Sequence, residues 1–242
     1  GTNIFNIFDF IFPQNKETLN YLKYFGIKKM QILGNLKFCE TEKLNKYKFH
    51  QKNFYGRKIL CAASTHDNEE EIISNIHLNL KKKVRNLLTI IIPRHTERTK
   101  EIIETLDHKK LNHICHSERK KIKKNTDIYL VNTYGESKLF YSVSKVVFLG
   151  GSLIRRGGQN PLEALRYGCY IVHGKHIFNF TEIYNMLNKK KLSFEAKKYP
   201  QLNKIIFHLL TKKSSNKKEI NKFKRIGINV LRKNFMKIRD LI

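Results

Sequence analysis

Two glycine pairs frame two adjacent arginines in Gly150-Gly151-Ser152-Leu153-Ile154-Arg155-Arg156-Gly157-Gly158. Glycine pairs let the main chain approach a ligand closely. Arginines offer planar, bidentate contacts to phosphate or carboxylate. The residues that follow, Gln159-Asn160-Pro161-Leu162-Glu163, read as a helix start with Asn160 at the N-cap and Pro161 at the first helical position. Free N–H groups at such a start suit an anion. Asn160 and Glu163 also have the spacing of a capping box, which would be purely structural. Arg94 and His95 follow a very apolar, Ile-rich run closed by Pro93, so packing gives no reason for a cation there. Ser64-Thr65-His66 leads into Asp67-Asn68 and then Glu69-Glu70-Glu71. Acids in the first turn of a helix favour its dipole, which accounts for the glutamates but not for His66. Thr133-Tyr134-Gly135-Glu136 and His173-Gly174-Lys175-His176 complete the set. Binding an anion, phosphate or carboxylate, is the chemistry these residue types share. His108, His113, Cys115 and His116 match neither a helical His pair nor a finger spacing, so no metal site is expected. There is no P-loop and no nucleophile elbow.

These residues need elements that bring them to one edge. Lys58–Ser64, Leu87–Ile92, Asn112–His116, Ile128–Asn132, Val146–Leu149 and Tyr170–Val172 read as strands. Glu69–Leu80, Glu97–Leu106, Glu136–Ser142 and Pro161–Tyr167 read as the helices between them. Strands alternating with helices give a parallel sheet covered on both faces, an α/β fold. In such sheets ligands bind beyond the carboxyl ends of the strands, and five of the strand ends carry the glycines, histidines and cations described above. Before this unit, residues 1–38 read as strand, helix, strand, with Phe8–Phe12 and Met30–Leu33 as the strands and Lys16–Phe25 as the helix. Residues 39–56 are Lys-rich and read as a linker with one short helix. From Phe180 onward the pattern reads as helices. The last, Glu219–Leu241, places Ile220, Phe223, Val230 and Ile238 near one face. Thr211–Lys218 reads as an exposed loop.

The chain has 242 residues, 48 Lys and Arg against 20 Asp and Glu, and 40% hydrophobic residues. That apolar fraction excludes wholesale disorder. No apolar run approaches the roughly 18–20 residues of a membrane span, and the start lacks the pattern of a secretory signal. Four cysteines without a C-x-x-C pair suggest buried thiols in a reducing compartment. Residues 186–242 hold 17 Lys and Arg against 3 Asp and Glu, half of the net charge of +28. Such an excess suits a polyanionic partner, whether nucleic acid or an anionic lipid surface; an AT-rich coding sequence would produce it as well.

Taken in order, Ala62-Ala63-Ser64-Thr65-His66 with Glu69-Glu70-Glu71, Pro93-Arg94-His95, Gly150-Gly151-Ser152-Leu153, Gly157-Gly158-Gln159-Asn160-Pro161-Leu162-Glu163 and Phe178-Asn179-Phe180 closely resemble the 3-deoxy-D-manno-octulosonic acid (Kdo) transferases of lipopolysaccharide and lipid A synthesis. The resemblance runs from about residue 5 to about residue 190. It implies a Rossmann-like GT-B C-terminal domain, preceded by the last elements of a second Rossmann-like domain. Residues 1–38 would be the remnant of an N-terminal acceptor domain, 39–56 the linker, and 57–242 the CMP-Kdo-binding domain with a basic helical tail. Arg94, His95, Gly150, Gly151, Ser152, Asn160 and Glu163 would bind the donor. Ser64, His66, Glu136, Arg155, Arg156, Lys175 and His176 would line the cleft. The general base and the lipid A precursor site would lie outside this chain. No cofactor or metal is implied beyond the substrate CMP-Kdo. The protein would work peripherally at the cytoplasmic side of a bacterial inner membrane, on an anionic surface, with nucleic acid an unlikely partner. The alternative is a catalytically inactive basic remnant of that fold that binds a nucleotide, nucleic acid or a membrane surface. Four positions depart from the family: Gln159 stands where His is usual, Val131-Asn132 where Gly-Asp is usual, and Lys175 where Pro is usual.

Overall fold

The computed structural model describes residues 2–5, 7–39, 54–213 and 217–241, with the backbone alone at 2, 3, 217–219, 222–224 and 226. Most of the linker at 39–56, the middle of the loop at 211–218 and the side chain of Phe223 therefore lie outside the described residues. In chain order the elements are α1 (Thr2–Phe5), α2 (Lys16–Tyr24), β1 (Lys58–Thr65), α3 (Glu69–Lys81), β2 (Leu87–Pro93), α4 (Thr99–His108), β3 (His113–Cys115), β4 (Ile128–Leu130), α5 (Ser137–Tyr141), β5 (Val146–Leu149), α6 (Leu162–Arg166), β6 (Tyr170–His173), α7 (Thr181–Lys189), β7 (Ser193–Glu195), α8 (Tyr199–Thr211) and α9 (Lys217–Arg239). They fall into two units, residues 44–219 and residues 1–43 with 220–242.

The larger unit is a seven-stranded sheet in the order β3-β4-β2-β1-β5-β6-β7, every pair parallel. A parallel sheet covered by helices on both faces has strands that are apolar at every position rather than alternately. Leu60 and Ala62 point to one face and pack with Ile73, Ile76 and Leu80 of α3, Ile102 and Leu106 of α4, and Leu202 and Ile206 of α8. Ile59, Cys61 and Ala63 point to the other face, with Phe140 of α5, Ala164 of α6 and Tyr184 of α7. All four cysteines are buried. The chain leaves β1 for β2 on one side and returns after β4 to β5 on the other. The connections from β1 and β5 thus diverge, and a crevice opens at the carboxyl ends of these two neighbours. Strand β7 extends the sheet where the sequence pattern predicts only helix.

In the smaller unit, Asn15 caps α2 by accepting from Thr18 N at 2.8 Å, and α2 stops before Gly26, which lies at φ 77°. The two strands expected at Phe8–Phe12 and Met30–Leu33 reduce to one parallel bridge between Ile11 and Met30. A pair without further neighbours has too little to bury for longer strands. Helix α9 packs here. A Cβ on Gly227 would lie 2.2 Å from the Phe38 carbonyl oxygen, and Cys39 donates to the Gly227 carbonyl at 3.3 Å. The buried row of α9 runs through Ile220, Gly227, Val230 and Asn234, whereas Ile238, expected on that face, is exposed. The resemblance groups α9 with residues 57–242, whereas its packing is against Phe38 and Cys39.

Candidate functional site

Strand β1 ends in a bulge. The pairing shifts register between Ala63 and Thr65, and Ser64 takes a left-handed conformation at φ 55°. The turn delivers His66 to the mouth of the crevice and Glu69 to its floor. Glu69 is fully buried. One carboxylate oxygen accepts from His66 N at 3.0 Å and Gly151 N at 2.7 Å, and the other from Ser152 N at 3.3 Å and Leu153 N at 3.1 Å. A ring of main-chain N–H groups is an anion nest, and here the protein's own carboxylate fills it. Burial raises the pKa of Glu69 above the usual carboxylate range, and the four N–H groups offset that rise only in part; all four contacts are to donors, which a carboxylate meets as an acceptor on both oxygens. Gly150 is required for the join, because a Cβ there would sit 2.3 Å from the Ser64 carbonyl oxygen and 2.7 Å from Glu69.

The β5 and β6 ends are fastened into one ledge. The Ser152 hydroxyl donates to the Leu149 carbonyl at 2.5 Å and accepts from Gly174 N at 2.8 Å, and His176 N donates to the Ser152 carbonyl at 3.0 Å. Asn179 N reaches the Gly157 carbonyl at 3.2 Å and its amide reaches the Arg156 carbonyl at 3.3 Å. Tyr184 donates to the Gln159 carbonyl at 2.9 Å. The ledge therefore holds Arg156 and the run to Glu163 at a fixed height above the sheet.

Cations surround the mouth. Arg94 is anchored beside His66 by its own N–H, which donates to the Thr65 carbonyl at 2.9 Å. The His66 and His95 rings lie 5.8 Å apart, nearly edge to face. Across the crevice, a Cβ on Gly151 would lie 3.2 Å from the His66 ring and 3.3 Å from Arg156 Cβ, so the missing side chain is the gap between these two residues. Burial first, then the positive charges of His95, Arg156, Arg94 and Arg98, push the His66 imidazole below its ordinary pKa. Arg98 is held by Asp67, Glu70 and Glu101 at 3.3, 3.0 and 2.8 Å. Arg94, Arg155 and Arg156 are exposed and pair with no carboxylate among the described residues.

The structure thus brings Ser64, His66, Arg94, His95, Gly150, Gly151, Ser152 and Arg156 together at the switch between β1 and β5. Ser152, however, is fully buried and its hydroxyl is engaged internally, so it supports the site without facing a ligand. The N–H groups of Gly151 and Ser152, expected near a phosphate, are occupied by Glu69. Helix α6 begins one residue later than its sequence predicts. The N-cap is therefore Pro161 and not Asn160; Asn160 sits one residue earlier and accepts from Leu162 N at 3.1 Å, and α6 is only 5 residues long. Glu163 does not close a capping box and makes no hydrogen bond among the described residues; it is half-buried. Lys175 is exposed and His176 half-buried on the ledge. Glu136 stands apart at the end of β4, where it meets His116 Nε2 at 3.1 Å and the Thr133 hydroxyl. The other His116 ring nitrogen is 2.8 Å from the Tyr129 hydroxyl, and His113 lies 3.6 Å from Asp107. Among the described residues no group of three or more His, Cys, Asp or Glu side chains could hold a metal ion, and no helix is long and apolar enough to cross a membrane.

No protein-family model matches the chain. It is 39% identical over 174 residues to a 3-deoxy-D-manno-octulosonic acid transferase of Haemophilus influenzae, covering 70% of this chain and 40% of the relative. It is 31% identical over 239 residues to the transferase of the same description from Rickettsia bellii, covering 96% of this chain and 56% of the relative. The chain thus spans about half the length of the relatives it matches. Among solved structures, the C-terminal CMP-Kdo binding domain of WaaA from Acinetobacter baumannii superposes with a TM-score of 0.66 at 29% identity, over 76% of this chain and 94% of that domain. The chain is therefore a relative of the Kdo transferases, and its sheet is the Rossmann-like fold of a GT-B C-terminal domain.

Proposed function

We propose that this relative of the Kdo transferases forms the donor-binding half of a glycosyltransferase, holding CMP-Kdo at the crevice between β1 and β5. What carries the reading is the position of Arg94. It is an exposed guanidinium with no carboxylate partner among the described residues, rooted beside His66 at the sheet's switch point, in a domain that aligns with 94% of a CMP-Kdo binding domain. Arg94 meets the phosphate of CMP. Glu163, a half-buried carboxylate with no hydrogen-bond partner among the described residues, accepts from the ribose hydroxyls. The reaction is displacement of CMP from the anomeric carbon of Kdo by a hydroxyl of a lipid A precursor, with inversion. CMP leaves as a phosphate, so stabilising its growing charge is the main electrostatic task. Because Glu69 occupies the N–H groups of the β5 turn, that task falls to Arg94. The base that takes the acceptor's proton must come within hydrogen-bond reach of the hydroxyl; we assign it to an acceptor domain outside this chain. No metal or cofactor is invoked. The acceptor is a membrane lipid, and the excess of cations in residues 186–242 would favour the anionic cytoplasmic face of the inner membrane.

The test is calorimetric titration with CMP. The chain should bind one CMP, and Arg94→Ala and Glu163→Ala should each lose about 1.5–3 kcal/mol of affinity, as for a hydrogen bond to a charged group. Affinity unchanged in both variants would sink the assignment.

A further inference from the structure

Arg94 and Arg156 stand on opposite sides of one crevice, and neither has a carboxylate partner among the described residues. The contrast with Arg98 is informative. Arg98 belongs to the same neighbourhood and is neutralised by three acids. Arg94 grows from the end of β2, Arg156 from the turn after β5, and β1 lies between these strands. Each root is fixed. Arg94 N is bound to the Thr65 carbonyl at 2.9 Å, Arg156 N to the Ile154 carbonyl at 2.8 Å, and the Arg156 carbonyl to the Asn179 amide at 3.3 Å. Gly151 keeps the space between Arg156 and His66 open.

A CMP ester of an ulosonic acid carries two anions on one carbon, the phosphodiester and the carboxylate. Two guanidiniums rooted on either side of a narrow crevice can converge on that carbon, one anion each. We propose that Arg156 is the carboxylate receptor of the site and so selects a sugar acid over a neutral sugar, while Arg94 serves the phosphate. This rests on the donor-binding reading above and adds to it the part of the donor that distinguishes it from other nucleotide sugars. A planar guanidinium matches a carboxylate in two parallel hydrogen bonds, so Arg156→Lys should not restore the contact fully.

The experiment compares CMP, CMP-Kdo and the methyl ester of CMP-Kdo on the unmodified chain, on Arg156→Ala and on Arg94→Ala. The unmodified chain should bind CMP-Kdo at least about tenfold more tightly than its methyl ester, the size of one charge-assisted contact. In Arg156→Ala that preference should vanish while CMP affinity stays within about threefold, which also reports that the variant is folded. Arg94→Ala should weaken all three ligands and keep the preference for the free acid. Equal loss for CMP and CMP-Kdo in Arg156→Ala, or a preference for the free acid that survives in it, overturns the carboxylate assignment. Failure of the unmodified chain to bind CMP would instead overturn the donor reading and this inference with it.

Discussion

Replacing Glu69 by glutamine changes one oxygen into an NH2 group and leaves shape and volume almost untouched. The structure gives the consequence. Two carboxylate oxygens accept from four main-chain N–H groups, at 3.0 and 2.7 Å on one and 3.3 and 3.1 Å on the other. Glutamine retains one acceptor. Its amide faces the other two N–H groups donor to donor, in a position closed to water. Each buried donor left without an acceptor costs about 1–3 kcal/mol, so Glu69→Gln should destabilise the sheet unit by about 2–6 kcal/mol. That is a large share of a typical folding stability of about 5–15 kcal/mol. Urea unfolding followed by circular dichroism measures it as a lower midpoint with an unchanged slope. A loss within about 0.5 kcal/mol, the range of an ordinary surface substitution, would refute the claim that Glu69 fills the nest and joins β1 to β5.

Gly174→Ala should be strongly destabilising, by about 3 kcal/mol or more, because its Cβ would lie 2.2 Å from the Ser152 carbonyl oxygen; thermal unfolding within a degree of the unmodified chain would argue against the fastened ledge. Acid should weaken the fold in two stages. His77 is fully buried, with its ring nitrogens 2.9 Å from Thr89 Oγ1 and 3.2 Å from Asp127 Oδ1, and Lys81 lies 2.9 Å from the same oxygen. Burial lowers the His77 pKa more than Asp127 raises it. The unfolded chain then binds the proton first, so stability is full above about pH 6.5 and falls as the pH drops below it. Asp127 opposes its own burial through hydrogen bonds from His77, Lys81 and Asn112 N and is lowered to about 2, so its contribution is lost only as the pH falls from about 4 through that value. His66 and His173 are lowered by burial as well, so His77→Gln should shrink the first stage without abolishing it and, by removing a hydrogen bond that holds Asp127 down, should shrink the second; an unchanged curve above about pH 5 would contradict this. The chain alone should transfer Kdo poorly, since a missing general base costs roughly 10²–10⁴-fold; brisk turnover by this polypeptide would show that the base lies within it. Vesicles rich in anionic lipid should sediment the chain at low salt and release it at high salt, with about 1 kcal/mol from each engaged Lys or Arg, and equal binding to neutral vesicles would rule out the electrostatic account.

Strands β1, β2, β5 and β6 were legible because each carries a mostly apolar run of strand length closed by a turn residue. Strand β7 was not: Ser193-Phe194-Glu195 is three residues at the edge of the sheet, too short to show a period. The cations were legible as well, since nothing local explains an arginine after Pro93. Glu69 was missed for the opposite reason. An acid in a first helical turn has an ordinary local explanation in the dipole, while three of its four partners lie 82 to 84 residues away, beyond any local pattern. Ser152 was misjudged in the same way: its type and its place beside a glycine pair suit a ligand, but its hydroxyl bridges Leu149 and Gly174. Only the three-dimensional pairing separates Arg98, neutralised by Asp67, Glu70 and Glu101, from Arg94, which has no carboxylate partner among the described residues.

A crystal structure of the chain with CMP bound tests the central claim most directly. The account predicts the phosphate at the mouth of the β1–β5 crevice, within hydrogen-bond distance of the Arg94 guanidinium. It also predicts that Glu69 still accepts from the N–H groups of Gly151, Ser152 and Leu153. CMP bound away from this crevice, or a phosphate seated on those N–H groups with Glu69 displaced, would contradict it.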